Sequence, residues 1–168
     1  MIRVERSKSG AGWIFSHPKA VRQCADDLDE VRQMIAAGET DIAVDELRWL
    51  LDTCHDFLEA HFLLGKLAVE SLADVPLGRG HFGIGFELGV KALRRAGNPA
   101  PLTALHPANQ PFFDCGRGLA WCLAEQGKPD LAVEVVERLL ACDAADPLRL
   151  RAWIDELRTG GKPLIELG

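Results

Sequence analysis

Ala37-Gly38-Glu39-Thr40-Asp41-Ile42-Ala43-Val44 and Gln126-Gly127-Lys128-Pro129-Asp130-Leu131-Ala132-Val133 are two stretches of one chain that match in spacing and chemistry. In each, a glycine stands where a first helix must stop, because glycine takes the left-handed conformation at little cost. In each, an alanine follows where a second helix must approach a neighbour closely: Ala43 and Ala132. The pair predicts two helical hairpins in different parts of the chain.

Working outward, the apolar residues keep the helical period. Between Asp41 and Thr53, the residues Ile42, Ala43, Leu47, Leu50 and Leu51 fall on one stripe, widened by Trp49. From Phe57 to Leu72, the residues Leu63, Leu64, Leu67 and Ala68 are in register, and Phe112 to Gln126 gives a further helix with Leu119 and Ala120 in matching slots. Asn109-Gln110-Pro111 is a start signal for that helix, since proline in the first turn gives up no hydrogen bond. Asp146-Pro147 repeats the signal for a last helix running to about Thr159, which Gly160-Gly161 stops. Three second helices share one spacing of small or apolar slots: Ala43, Leu47 and Leu50; Gly85, Gly89 and Ala92; Ala132, Val136 and Leu139.

With the Leu64-Gly65 pair, the slots at Gly38, Ala43, Leu119, Ala120, Gly127, Ala132 and Asp143 make residues 24–159 resemble tetratricopeptide (TPR) repeats. The pattern departs from the family at His61 and Gly116, where a tryptophan is usual, and at His55 and Ala144, where a proline is. The resemblance implies an all-α fold, a TPR-like array of about three antiparallel helical hairpins with a C-terminal capping helix. The expected division is a partly extended N-terminal arm over 1–22, the helical domain over 23–160 with inserted loops near 73–79 and 97–111, and a tail over 161–168.

Composition narrows the function. With 48% hydrophobic and 26% charged residues, the 168-residue chain can bury a core as one domain. No run of apolar residues reaches membrane-spanning length, and the N-terminus lacks the apolar block of a signal peptide, so a cytoplasmic protein with no membrane partner is expected. Cys24, Cys54, Cys115, Cys122 and Cys142 are odd in number and contain no Cys-x-x-Cys pair, which argues against a disulfide framework or a zinc site. The net charge of −6 disfavours nucleic acid. It is also uneven: residues 1–22 carry five bases against Glu5, whereas residues 23–60 carry eleven acids against Arg32 and Arg48.

Two insertions interrupt the repeat, Ala73 to Arg79 and the proline-stiffened Gly97 to Pro111, and long ordered loops often bind ligands. Gly78-Arg79-Gly80-His81-Phe82-Gly83 satisfies G-x-G-x-x-G, but no strand precedes it. Phe82, Ile84, Phe86, Leu88 and Val90 alternate with the period of a strand, yet the repeat register places them on a helix, with Gly85 and Gly89 at a close crossing.

No catalytic constellation emerges. The five histidines are scattered, Cys115 and Cys122 share a helix face as core residues do, and Asp26, Asp27, Asp29 and Glu30 read as an acidic first turn rather than a metal loop. No cofactor or metal is expected. The TPR resemblance instead implies a concave groove lined by the first helix of each hairpin. Carried onto this chain, it points to Arg32, Phe62, Lys66, Arg117, Trp121 and Arg151 as partner-binding residues for a peptide, acidic or ending in a carboxylate. The expected function is a non-catalytic protein-protein interaction module. Two alternatives stand beside it. One is a small-molecule or nucleotide pocket with Arg79, His81 and His106; the other is a homodimer formed through Trp13-Ile14-Phe15 or the Pro163-Leu164-Ile165-Glu166-Leu167 tail.

Overall fold

A computed structural model describes residues 1–160, which hold eight helices and one two-stranded sheet. The N-terminal arm is an antiparallel hairpin, β1 (Arg3–Arg6) and β2 (Trp13–Ser16), followed by a short helix α1 (Lys19–Gln23). The body runs α2 (Ala25–Ala36), α3 (Thr40–Thr53), α4 (Leu58–Glu70), α5 (Val75–Arg95), α6 (Gln110–Glu125), α7 (Pro129–Cys142) and α8 (Leu150–Arg158). The Pro163 to Leu167 tail lies outside the described residues.

The two matched stretches close their helices in the same way. Gly38 and Gly127 have φ of +77° and +72°. At the first, the Gly38 and Glu39 amides donate to the Ile35 and Met34 carbonyls at 3.1 and 2.9 Å; at the second, Gly127 and Lys128 donate to Ala124 and Leu123 at 3.0 and 2.9 Å. This double bond satisfies carbonyls that the helix end leaves without partners. Short turns follow, so α2 packs on α3, and α6 on α7; α4 and α5 make the third such pair. Neighbouring pairs also meet, α3 against α4, α5 against α6, and α4 directly against α6, while α8 covers α7.

The strand-like alternation from Phe82 to Val90 lies wholly within α5. Gly85 and Gly89 sit at its crossing with α6: a Cβ on Gly85 would collide with the Cys115 sulfur, and one on Gly89 with the Phe112 ring. Between them and the helix start, the Phe82 ring fills the space that side chains at Gly65 of α4 and Gly118 of α6 would take, which locks three helices together.

Two expectations about boundaries need correcting. Residues 75–79 are not loop but the first turn and more of α5, because Asp74 caps the helix through its carboxylate, accepting the Leu77 amide at 2.9 Å, with Pro76 in the first turn. The last helix starts at Leu150 rather than at Asp146-Pro147: Asp146 and Arg149 take positive φ, and the Asp146 carboxylate receives the Leu150 and Arg151 amides at 2.6 and 3.1 Å.

The 97–111 connection is bonded to the end of α7 on one side and to the N-terminal hairpin on the other. The Leu102 amide donates to the Cys142 carbonyl at 2.8 Å, and the Ala104 amide to the buried Asp143 carboxylate at 2.8 Å. On its other side the Trp13 amide donates to the Pro101 carbonyl at 2.8 Å. The arm therefore docks on the loop, with Ile2 and Phe15 buried and the Phe15 ring edge-on to Phe112 at 5.4 Å.

Candidate functional site

The helices α2, α4 and α6 present one charged face. Arg32 of α2 bonds both Asp29 on its own helix and Glu59 on α4. Next along, Arg117 of α6 lies 3.6 Å from Asp114. Burial raises the Asp114 carboxyl above its usual range; Arg117 and Lys66 pull the other way, and Glu59 adds to the rise. Lys66, half-buried on α4 and near enough for its charge to act on Asp114, makes no ion pair of its own among the described residues.

The structure brings Arg32, Lys66 and Arg117 to this face and treats the other expected residues differently. Phe62 is 9% exposed with its ring 6.1 Å from Phe82, so it belongs to the core rather than to a binding surface, its burial driven by the apolar face α4 shares with α5. Trp121 is half-buried against the core. Arg151 is tied down locally, donating to the Ala144 carbonyl at 2.9 Å and facing Asp146 at 3.5 Å.

Arg79, His81 and His106 do not converge. Arg79 donates to Gln126 at 2.7 Å, past the C-terminal end of α6, whereas His106 precedes its N-terminal end and orients the Ala108 amide. At 1.5 Å per residue, α6 sets those ends about 24 Å apart. What the loop does form with α5 and α7 is a small pocket of about 220 Å³, lined by Leu93, Asn98, Pro99, Ala100 and Cys142, with Arg138 its one charged side chain.

His81 instead lies beside His61, ring centroids 5.8 Å apart. Burial lowers the proton affinity of both, taking His61 to about 4, with His81 adding to the effect. Burial also raises the Cys115 and Cys122 thiols, the latter to about 12, so both are poor nucleophiles.

Sequence reading missed a second surface. Ile84 and Leu88 of α5, Leu119 and Leu123 of α6, and Leu131 and Val135 of α7 line a groove of about 660 Å³. Arg79, Lys91 and Lys128 stand around it against Glu87. Its signal was in the chain: Ile84 and Leu88 are apolar but lie off the buried stripe of Phe82, Phe86, Val90 and Leu93, giving α5 two apolar faces.

Among the described residues, no group of histidine, cysteine or acidic side chains is arranged to hold a metal ion, and no helix is long and apolar enough to cross a membrane. No family model, curated protein or solved structure matches the chain.

Proposed function

We propose that the chain is a non-catalytic protein-protein interaction module, a TPR-like array whose hairpins are α2/α3, α4/α5 and α6/α7, capped by α8. Its ligand is a peptide or partner helix lying across α2, α4 and α6. The observation that supports the reading is that Arg32 bonds Glu59 from α2 to α4, while Glu59 and Lys66 of α4 lie near enough to the Asp114–Arg117 pair of α6 for their charges to act on Asp114. The direct packing of α4 on α6 supports the same arrangement.

The ligand chemistry follows from the charges. Lys66 offers an ammonium to an incoming carboxylate, and Arg117 can exchange Asp114 for it. Asp114 is the weaker competitor because its burial already disfavours the charged form. A short acidic peptide, or a chain end with a free carboxylate, fits this pair. Charge-assisted hydrogen bonds to such groups contribute about 1.5–3 kcal/mol each, so loss of one should weaken binding about tenfold or more. The test is selection from a displayed peptide library by the wild-type protein and by a Lys66→Ala/Arg117→Ala variant whose fold is checked by circular dichroism. Enrichment of acidic peptides by the wild type alone supports the reading.

A further inference from the structure

The apolar groove between α5 and α7 is open. Ile84 is 49% exposed and Leu131 46%, facing each other across it. Its walls and floor are three ridges of the same kind, with side chains four residues apart on each of α5, α6 and α7. Ridges at that spacing leave a furrow of the shape into which another helix sets its own. The charged residues around it, Arg79, Lys91 and Lys128 against Glu87, give it a positive balance within a chain of net charge −6.

One helix of this same chain has the complementary surface. On α3, Ile42 and Trp49 are 56% and 53% exposed. They stand two turns apart on one side of the helix, about 10 Å by its rise per residue. That is the span from Ile84 to Lys91 along the groove wall. Exposed Asp41, Asp45 and Asp52 surround them, and α3 as a whole carries four acids against Arg48. Large apolar side chains left open on both surfaces, with opposite charges around each, are what a contact between copies requires.

We infer that α3 of one copy docks in the α5–α7 groove of a second copy, Ile42 and Trp49 entering the groove and the aspartates facing its basic rim. The contact uses two different patches, so each copy keeps one of each available and can add to a dimer or to a longer chain. The patches are small beside the area that a tight interface buries, so the association is weak and concentration-dependent. It shares no residue with the α2/α4/α6 face, and Lys66→Ala/Arg117→Ala should leave it unchanged.

Sedimentation velocity over a micromolar-to-millimolar series tests this with two double variants at exposed positions, each checked by circular dichroism. Ile84→Glu/Leu131→Glu removes the groove, and Ile42→Glu/Trp49→Glu removes the stripe. The wild type should gain mass with concentration, each variant alone should stay monomeric, and an equimolar mixture should form heterodimers, since it restores one intact groove and one intact stripe. A charge-reversed groove, Lys91→Glu/Lys128→Glu, should leave the protein monomeric, and adding Asp41→Lys/Asp45→Lys to that same chain, so that every groove and every stripe is reversed, should restore association. A wild type monomeric throughout would overturn the inference and leave the groove to a different partner. So would variants that still associate alone, a mixture that stays monomeric, or a charge reversal without rescue.

Discussion

The Asn109 side chain accepts the Phe15 amide proton at 2.8 Å, joining residues 94 positions apart, and its own amide group donates to the Trp13 and Thr103 carbonyls at 3.0 and 2.9 Å. Asn109 is fully buried, so it is the polar bolt by which the N-terminal hairpin is held on the helical body. Asn109→Ala would leave the Phe15 amide without its partner and remove one of two bonds from each of the Trp13 and Thr103 carbonyls, which keep the Thr103 and His106 amides at 3.4 and 3.1 Å. A buried donor left unpaired costs about 1–3 kcal/mol, and the two weakened carbonyls add to it, so we expect a loss of about 2–4 kcal/mol. Phe15→Ala, which empties a core position, should cost about 3–5 kcal/mol. Denaturant melts of both variants check this, and unchanged midpoints would show the arm to be dispensable.

The glycines of α5 should respond in opposite directions. Gly85→Ala puts a methyl into the Cys115 side chain and should destabilise by about 1–3 kcal/mol, and Gly85→Leu by more. Gly80 faces open space on the same helix, and Gly80→Ala should stabilise by about 0.5–1 kcal/mol through helix propensity alone. Thermal melts of the three variants give the comparison. Equal shifts at both positions would contradict the helix crossing.

Stability should fall on mild acidification. His61 and His81 face one another with both Nδ1 atoms buried and unbonded, and the other charged or titratable groups acting on them are His55 and Arg48, not carboxylates. Well above pH 6.5 His61 is neutral in both states and contributes no pH dependence. Between there and about pH 4 the unfolded chain takes up a proton that the folded chain refuses, so stability drops as pH falls. The loss across that window is about 3 kcal/mol for His61. Unfolding free energies at pH 7, 6, 5 and 4.5 should show a shallower slope in His61→Leu than in the wild type. Parallel slopes would place the pH dependence elsewhere.

The helices and their order were legible because one periodicity governs most of the chain, and the turns at Gly38 and Gly127 were legible because left-handed closure selects glycine so strongly. The start of α5 was not: Asp74 and Pro76 are a helix-start signal, but the repeat length argued for an insertion there, and the cap outweighed it. The charged face was half legible. The TPR resemblance points to Arg32, Lys66 and Arg117 for one face, yet it could not separate Phe62, which the packing of α4 on α5 and α6 draws into the core. Nor could it show that Arg151 finds an acid nearby, since Asp146 reaches it only through a loop with two left-handed residues. The apolar groove depends on how far α5 and α7 stand apart over α6, a distance that no single-helix pattern encodes.

The central claim is that the α2/α4/α6 face captures a carboxylate-bearing peptide, and the most direct measurement is titration calorimetry with an acidic peptide taken from the library selection, against wild type and Lys66→Ala/Arg117→Ala. Binding to the wild type should be saturable, weakened at least tenfold in the double variant and reduced by added salt as screening of the exposed charges requires. Equal affinity for both proteins, or no peptide bound by either at millimolar concentration, would contradict it.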